Sequence, residues 1–261
     1  MIAPVAPIAV SIVVPTLNEA ENIEPLVRQV MANAPASSEI IIVDDGSTDG
    51  TPAAVRSVAE NYPVHLLQRE NPTLGLSGAV IAGACTARGD ILVVMDADLS
   101  HPPQEIASLV GPVMAGRADM VIGSRYVPGG STPGWPLLRR ILSRVAAGVA
   151  YPLTGIHDSM CGFFAIRRTL LLELTPNATG FKIAFEAIVN GGRSLRVIEV
   201  PIAFRDRARG ASKMNAAVAL LFSMRWLLAA ATVVTRRQRS RGNLELMAAD
   251  KLPVQSSKPE R

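Results

Sequence analysis

The sequence predicts one α/β domain built on a mostly parallel sheet that is covered by helices. Short β-branched runs alternate along the chain with segments of helical spacing. The runs are continuously apolar, which is typical of strands with both faces buried. Polar clusters follow directly after the runs, at the positions where parallel sheets bind ligands. With 261 residues, 49% of them hydrophobic, the chain is long enough to bury one large core.

The amino-terminal half carries this alternation most clearly. Five strands are predicted, at Val10–Val14, Ile40–Val43, Val64–Leu67, Ile91–Met95 and Met120–Ile122. Four helices are predicted, near Glu19–Asn33, Thr51–Asn61, Leu76–Arg88 and Pro102–Ala115. Because parallel strands share one carboxyl edge, the polar residues that follow them are expected to meet there.

The pattern changes after Pro128, where a Gly- and Pro-rich loop leads to a helix around Leu137–Tyr151. A loop with His157-Asp158 follows. The remaining predicted elements are a strand at Cys161–Arg167, a helix near Ile183–Val189, a strand at Leu195–Phe204 and the charged segment Arg205–Lys213. We therefore predict that the domain covers residues 10–213.

Both ends of the chain differ from this domain. Residues 1–9 contain prolines and no basic n-region, so they are predicted to be a flexible leader and not a secretory signal. Ala216–Val234 is apolar and about long enough to span a bilayer, but Arg225 near its centre would cost about 2.5–3.5 kcal/mol there. We predict that residues 214–241 form an apolar and basic helix at a membrane surface, with a true span and a core helix as alternatives. Residues 242–261 are predicted to be a disordered tail.

Charge and cysteine usage limit the partners and the compartment. The net charge is +4, and four arginines lie close together near the end: Arg236, Arg237, Arg239 and Arg241. This local run indicates an anionic membrane surface and not nucleic-acid binding, and a solvated basic tail is the alternative. Cys85 and Cys161 lack the spacing of a zinc site or a disulfide scaffold, which favours the reducing cytoplasm.

Asp96-Ala97-Asp98 places two carboxylates directly after the apolar run Ile91–Met95. Carboxylate oxygens suit hard cations, and Mg²⁺ is often shared between one or two carboxylates and substrate phosphates. The motif therefore predicts a divalent metal that bridges the protein and a diphosphate. The alternative is that one aspartate caps the helix beginning near Pro102, or that both are solvated turn residues.

Two further polar clusters end the first two strands. Asp44-Asp45-Gly46-Ser47 leads through a turn at Thr48-Asp49-Gly50-Thr51 into a helix, and one of these acids is expected to accept hydrogen bonds from a nucleoside while the others cap the helix. In Pro15-Thr16-Leu17-Asn18-Glu19, Glu19 is either a contact to a base or a charge in the first turn of a helix.

Arginines appear at the next strand end and on the helix after it. Arg125 follows the Met120 strand, and its planar fork suits phosphate. Arg139, Arg140 and Ser143 lie on one predicted helix, where positions 139 and 143 share a face. Solvated surface arginines are the alternative for each.

Taken in order, these motifs resemble family 2 glycosyltransferases, and among them the dolichol-phosphate (polyprenol-phosphate) mannose synthase branch. The resemblance is carried by residues 94–103 (VMDADLSHPP), 122–126 (IGSRY), 158–164 (DSMCGFF) and 180–183 (GFKI) with Glu186. The most telling part is the distal basic motif between Phe204 and Lys213, which contains Arg207, Gly210 and Ser212. The match spans about residues 10 to 213.

The resemblance implies a GT-A fold, which is Rossmann-like and binds a nucleotide sugar. It implies nucleoside contacts from Pro15, Leu17, Glu19, Val43 and Asp45. It implies Mg²⁺ or Mn²⁺ at Asp96-Ala97-Asp98, with Ser100 as a third candidate ligand. Ser100 stands where many members have Gln, and Leu17 stands where Tyr is common, so the sequence departs from the family pattern at both positions.

The implied reaction is transfer of a hexose, mannose from GDP-mannose first, to a polyprenyl or dolichyl monophosphate with inversion. The positive groups that would face the donor diphosphate or the acceptor phosphate are Arg125, Lys182, Arg207 and Lys213, with Arg139 and Ser143 toward the acceptor. A phosphate monoester is mostly dianionic at neutral pH, so the attack needs no strong base. Asp158 then either orients an arginine or its loop, or acts as a base on a sugar hydroxyl.

The expected setting is the cytoplasmic face of a membrane, with peripheral association and a membrane-anchoring partner, and no nucleic acid. Three alternatives differ in substrate or class. One is transfer from UDP-glucose or another UDP-sugar to a polyprenyl phosphate or a saccharide. The others are a non-catalytic nucleotide-sugar sensor and a nucleotidyltransferase, although Pro15–Glu19 lacks the Gly-rich basic loop that the last would carry.

Overall fold

A computed structural model of the chain describes residues 8–176, 178 and 182–206. One seven-stranded sheet forms its centre, with strands β1 Val10–Thr16, β2 Ser38–Asp44, β3 Val64–Gln68, β4 Ile91–Val94, β5 Met120–Ser124, β6 Phe164–Arg167 and β7 Val197–Pro201. The strand order is β3-β2-β1-β4-β6-β5-β7. Every neighbouring pair is parallel except those of β6, which runs antiparallel to β4 and β5. The predicted fold class is confirmed.

Seven α-helices accompany the strands in the described residues: α1 Ala20–Asn33, α2 Thr51–Ala59, α3 Gly75–Thr86, α4 Ile106–Met114, α5 Leu137–Thr154, α6 Arg168–Leu174 and α7 Ile183–Gly191. The helix predicted at Pro102–Ala115 begins later, because Pro103–Glu105 form a 3-10 turn before α4. The short helix α6, which follows β6 directly, was not predicted.

The strands form where β-branched residues cluster, and the central strands are buried along their whole length. Helix α3 crosses β1 and β2 at very close range. A Cβ atom at Gly83 would lie only 2.5 Å from Val13 Cγ1, so this approach requires glycine. Two predicted strands are shorter in the structure: Cys161–Arg167 is a strand only over β6, and Leu195–Phe204 only over β7.

The antiparallel direction of β6 was not predicted, and it decides which loops lie at the carboxyl edge. Because β6 runs in the opposite direction, the loop before it, residues 158–163, reaches the edge at which β4 and β5 end. The residues before β6 therefore lie beside the residues that follow β4 and β5.

The predicted membrane-surface helix at 214–241 and the tail at 242–261 lie outside the described residues, as does most of the leader. The division of the chain into these parts stays a prediction. Within residues 8–176, 178 and 182–206, no helix has the length and apolar character needed to cross a bilayer.

Candidate active site

The ends of β1, β2 and β4 meet at one edge of the sheet, as predicted. Thr16 is paired with Asp44, and Val13 with Val94, so the three strands end within a few residues of one another. Strand β5 ends at the same edge because it is parallel to β4 across β6. The polar clusters of the sequence therefore form one continuous rim.

Backbone and side-chain hydrogen bonds tie the loops after β1 and β2 together. Asn18 N–H donates to Ser47 Oγ at 2.8 Å, and Thr48 N–H donates to Asn18 Oδ1 at 2.8 Å. Glu19 N–H donates to Thr51 Oγ1 at 2.9 Å, so the same contacts continue into the start of α2. This part of the rim is held in place by its own polar groups.

The residues predicted to surround a nucleoside lie in different environments. Pro15 lines a cleft together with Asp96 and Lys182, and Leu17 is exposed on the loop that follows. Glu19 accepts a hydrogen bond from Asn22 Nδ2 at 2.7 Å in the first turn of α1, which is the helix alternative considered for it. Val43 is fully buried, and its side chain packs in the core. Nucleoside binding by these residues stays a prediction.

The two acids after β2 have different partners. Asp44 is fully buried and accepts hydrogen bonds from Ser47 N–H and Oγ, so it shapes the turn. Asp45 accepts two hydrogen bonds from Arg69, at 2.6 and 2.7 Å. Arg69 was missed by sequence reasoning, although its place directly after β3 is the same signal that identified the acids.

Asp96 projects from the end of β4 with 39% of its side chain exposed. Its backbone N–H donates to His101 Nδ1 at 3.0 Å, so the ring of neutral His101 carries its proton on Nε2, which lies 3.9 Å from Asp96 Oδ2. Burial lowers the pKa of His101 and keeps the ring neutral. Gly162 lies against this carboxylate, since a Cβ atom there would be 3.7 Å from Asp96 Oδ1.

Asp98 is buried beside Asp96, and its Oδ1 accepts a hydrogen bond from Ser100 N–H at 3.0 Å. Ala97 between them packs in the core. Ser100 Oγ is buried and has no hydrogen-bond partner among the described residues. Ser100 therefore has one buried oxygen that a hard cation could satisfy, and its ligation of a metal stays a prediction.

The protein offers few ligands to a metal ion at this place. Within the described ranges, no group of three or more His, Cys, Asp or Glu side chains could hold a metal. Two carboxylates fit an ion that is completed by substrate phosphate and water, which is how Mg²⁺ is usually bound. The residues therefore fit a metal that is bound together with a diphosphate.

Arg125, directly after β5, and Asp158, in the loop before β6, form a buried ion pair at the same rim. Arg125 Nε and Nη2 each donate to an Asp158 oxygen at 2.7 Å, and Arg125 N–H donates to Asp158 Oδ2 at 2.9 Å. Burial opposes the charge of Arg125, but the hydrogen bonds and charge of Asp158 raise its pKa, so it stays a cation. Of the two alternatives for Asp158, the geometry matches the one in which it orients an arginine.

Aromatic rings surround this cation. The guanidinium carbon of Arg125 lies 5.2–5.4 Å from the ring centroids of Tyr126, Trp135 and Phe204. His101 stacks on Phe163 at 5.1 Å and meets Phe204 edge-on at 5.2 Å. These rings form one packed cluster that connects Arg125 with His101, in the loop after β4.

Glu199 on β7 contacts the backbone of the loop that carries Asp158. It was not identified in the sequence analysis. Its carboxylate accepts hydrogen bonds from Asp158 N–H at 3.0 Å and from His157 N–H at 2.9 Å, and it lies 2.8 Å from His157 Nδ1. An acid inside an otherwise apolar strand was the available signal. Glu199 thus holds the backbone that carries Asp158, which in turn holds Arg125.

Arg139 and Ser143 lie at the start of α5, beside the aromatic cluster. Arg139 pairs with Asp206 at 2.8 Å, and its guanidinium carbon lies 4.0 Å from the centroid of Trp135. Ser143 Oγ accepts a hydrogen bond from Tyr126 Oη at 2.6 Å. The helix therefore brings both predicted acceptor residues to the rim, while Arg207 and Lys213 lie outside the described residues.

Two further groups lie deeper in the cleft. Lys182 Nζ donates to Met160 O at 3.1 Å, and burial followed by the nearby charge of Arg125 lowers its pKa. Burial raises the pKa of Cys161 to about 12, so this thiol is not an ionised nucleophile at neutral pH.

Helix α5 carries a broad apolar face that is largely exposed. Six of its side chains are between 47 and 68% exposed: Leu137, Leu138, Ile141, Leu142, Val145 and Val149. The opposite side of the helix is attached to the domain, where Ala150 packs with Phe185 and Val189 of α7. A soluble surface rarely exposes so many neighbouring large apolar side chains.

Comparisons with known proteins identify the family of the chain. Residues 11–175 match the family described as glycosyl transferase family 2. A dolichol-phosphate mannosyltransferase of Pyrococcus furiosus is 42% identical over 211 residues, covering 79% of this chain and 59% of the relative, so this chain spans well under two thirds of that protein's length. A polyprenol monophosphomannose synthase of Mycolicibacterium smegmatis is 41% identical, covering 78% of this chain and 80% of the relative.

Among solved structures, glucosyl-3-phosphoglycerate synthase from Mycobacterium tuberculosis, in complex with Mn²⁺, UDP and glucosyl-3-phosphoglycerate, has a TM-score of 0.64 and 23% identity. The match covers 87% of this chain and 79% of that one. At this identity the likeness concerns the fold alone, and it confirms the expected GT-A fold.

Proposed function

The chain belongs to glycosyl transferase family 2, and on that premise we propose that it transfers a hexose to a polyprenyl monophosphate and releases a nucleoside diphosphate. Mannose from GDP-mannose is the proposed donor. The relatives at about 40% identity, which carry the names dolichol-phosphate mannosyltransferase and polyprenol monophosphomannose synthase, support this acceptor class.

One observation carries the proposal. The buried ring of His101 accepts a hydrogen bond from Asp96 N–H at 3.0 Å and meets the ring of Phe204, which lies 5.4 Å from the guanidinium carbon of Arg125. Two acids that suit a metal and a fixed cation that suits phosphate therefore share one small region of the rim. That combination fits a reaction in which one diphosphate leaves and one phosphate attacks.

On the donor side, Asp96 and Asp98 would hold Mg²⁺ or Mn²⁺ against the diphosphate. When bound, the ion would supply positive charge that stabilises the leaving nucleoside diphosphate. Ser100 Oγ, which is buried and has no hydrogen-bond partner among the described residues, is the third candidate ligand. Asp45, fixed by Arg69, and Pro15 border the space that the nucleoside would occupy.

On the acceptor side, the proposed step forms a bond between a phosphate oxygen and the anomeric carbon while the bond from that carbon to the diphosphate breaks. Attack from behind inverts the configuration. The phosphate is mostly dianionic at neutral pH, so no proton must be removed first. Arg125 and Arg139, with Arg207 and Lys213 from outside the described residues, would hold two anions that repel each other.

Asp158 is proposed to position Arg125 and not to act as a base, because both its carboxylate oxygens accept hydrogen bonds from Arg125. We propose that the reaction takes place at the cytoplasmic face of a membrane, where a polyprenyl phosphate resides. A membrane-anchoring partner would add to this attachment.

The test is transfer of labelled sugar into an organic-extractable product by the purified full chain, with Mn²⁺ and a polyprenyl phosphate. GDP-mannose and UDP-glucose are compared as donors under the same conditions. The proposal expects product from GDP-mannose, its loss in chelator and its recovery with added Mn²⁺ or Mg²⁺.

Each other outcome contradicts a separate part of the proposal. Product from UDP-glucose alone would replace the donor, and activity that persists in chelator would remove the role of Asp96 and Asp98. Binding of a nucleotide sugar without any transfer, to lipid or saccharide acceptors, would favour a sensor.

A further inference from the structure

The loop after β4 folds back so that His101 contacts the first aspartate of the metal motif. Asp98 Oδ1 accepts a hydrogen bond from Ser100 N–H at 3.0 Å, and Leu99 between them has a φ of 60°, in the left-handed region. A leucine rarely adopts this conformation, so the contacts around the loop impose it. The turn returns the ring of His101 to Asp96, whose N–H donates to His101 Nδ1 at 3.0 Å.

This hydrogen bond fixes which nitrogen of the ring carries the proton. Nδ1 accepts from Asp96 N–H, so the proton of the ring lies on Nε2. Nε2 lies 3.9 Å from Asp96 Oδ2, which is about 1 Å longer than a hydrogen bond. Hydrogen bonds in active sites are often long before the ligand binds and shorten in the complex. A small rotation of the carboxylate would therefore let Nε2–H donate to Oδ2.

The ring of His101 is held in this position by its packing. Only 1% of the residue is exposed. One face of the ring stacks on Phe163, with the centroids 5.1 Å apart, and Phe204 meets it edge-on at 5.2 Å. The ring is therefore a rigid support for Asp96, whereas a long, flexible side chain would not be.

Gly162 leaves room for both the ring and the carboxylate. A Cβ atom at this position would lie 3.3 Å from His101 Cε1 and 3.7 and 3.8 Å from the two Asp96 oxygens. The φ of Gly162 lies outside the left-handed region, so its backbone would accept a larger residue. The close approach of the ring, and not the backbone conformation, favours glycine here.

The two aspartates of the metal motif differ in how their carboxylates are held. Asp98 is buried and accepts the hydrogen bond from Ser100 N–H, whereas the carboxylate of Asp96 is 39% exposed and accepts no hydrogen bond from the described residues. An ion is bound more tightly when a hydrogen bond already orients its ligand. A neutral N–H group can orient a carboxylate without cancelling its charge, as lysine or arginine would.

We infer that His101 is a positioning residue for the divalent ion: its Nε2–H donates to Asp96 Oδ2 and thereby presents Asp96 Oδ1 to the metal. The inference rests on the proposed function in taking Asp96 as a ligand of the ion. It adds a residue that acts through Asp96 and contacts neither the metal nor the substrate. Loss of such a residue typically weakens metal binding about 10–100-fold.

The first test is Mn²⁺ binding by the purified full chain, measured from the EPR signal of free Mn²⁺ with saturating GDP or UDP. Glutamine places an amide N–H near the position of Nε2, and asparagine places an amide oxygen near that of Nδ1. His101→Asn should therefore weaken Mn²⁺ binding about 10–100-fold, whereas His101→Gln should weaken it less than about fivefold. Both variants remove the stacked ring, so a loss of packing alone predicts equal binding.

The control for this pair is His65→Gln. His65 is half exposed on β3 and lies 3.4 Å from Glu39, near the amino end of β2 and away from the rim. This variant should bind Mn²⁺ like the wild type. Equal Mn²⁺ affinity of His101→Asn and His101→Gln, whether strong or weak, would overturn the inference, because the N–H group would then make no difference.

A spectroscopic measurement on the wild-type side chain needs no variant that disturbs the packing. With ¹⁵N-labelled histidine, His101 should show a neutral ring with its proton on Nε2, and its signals are assigned by their absence in His101→Gln. Mg²⁺ with GDP should move this proton downfield, because its hydrogen bond to Asp96 shortens, whereas GDP alone should not. A proton on Nδ1, or an Nε2 proton that does not respond to Mg²⁺, would overturn the inference.

Failure of this inference and failure of the proposed function give different results. Turnover of labelled GDP-mannose by His101→Asn should be low at limiting Mn²⁺ and approach the wild-type value as Mn²⁺ is raised. A loss that no Mn²⁺ concentration restores would contradict positioning through the ion. Weak Mn²⁺ binding in His101→Asn alone, with no transfer by the wild type to any polyprenyl phosphate, would support the role of His101 and contradict the function. A wild type that binds no Mn²⁺ with either nucleotide would contradict both.

Discussion

The two halves of the rim are built differently. In the half formed by β1 to β4, loops bind one another: Asn18 to Ser47 and Thr48, and Asp45 to Arg69. In the half formed by β5 to β7 and α5, a buried ion pair lies among aromatic rings and borders an exposed apolar helix face. Under the proposed function, the first half would bind the nucleotide and the second would bind the phosphate of the lipid acceptor.

The largest expected effect tests the first half. Asp98→Asn removes one of two carboxylates proposed to hold the metal, so kcat/KM should fall at least about 100-fold. Transfer of labelled sugar, measured over a range of Mn²⁺ concentrations, checks this result. Asp90→Asn is the matched control, because Asp90 is exposed and precedes β4 at the opposite edge of the sheet. Comparable losses in both variants would remove Asp98 from the site.

Arg125→Lys tests the second half with a smaller expected effect. Lysine keeps the positive charge but cannot donate in parallel to both oxygens of Asp158. Turnover should fall about 30–100-fold while the affinity for the nucleotide, measured by calorimetry with GDP and Mn²⁺, changes much less. A variant that lost nucleotide binding to the same degree as turnover would assign Arg125 to the donor half.

Glu199→Gln acts on the same ion pair from a greater distance. Glutamine keeps the size of the side chain but weakens the hydrogen bonds that fix the His157-Asp158 backbone. We expect about a tenfold fall in kcat with little change in the donor KM, and partial recovery in Glu199→Asp. Glu173→Gln, an exposed glutamate on α6, is the control. Loss of thermal stability with unchanged kcat would give Glu199 a purely structural role.

The smallest effect on activity is expected for Asp119, which lies just before β5 at the edge of the sheet opposite the rim. Hydrogen bonds from Arg196 lower the pKa of Asp119 from 3.8 to about 2. A lowered pKa stabilises the fold above the unfolded value of 3.8, and this contribution is lost as pH falls toward 2. Asp119→Asn should therefore lower the unfolding midpoint by about 2–4 °C at pH 7, less at pH 3, and leave kcat unchanged. A midpoint difference that is independent of pH would contradict the ionic origin.

Much of the fold and part of the site could be predicted from local patterns. The apolar runs predicted the parallel strands, and the polar residues after them predicted the rim with Asp96, Asp98 and Arg125. Arg69 obeyed the same rule but was overlooked. The antiparallel direction of β6 could not be read from its apolar residues, because burial on both faces gives the same pattern in either direction.

The sequence by itself determined the types of chemistry at the strand ends: carboxylates after β4, an arginine after β5 and a helix with further arginines beyond it. Only the tertiary structure decided the pairing of Arg125 with Asp158, its support by Glu199 and the exposure of one face of α5. These are contacts between residues 33 to 41 positions apart, or the absence of a covering element among the described residues. The physical reason is that side-chain type follows from the sequence locally, whereas partners and exposure depend on which strands become neighbours.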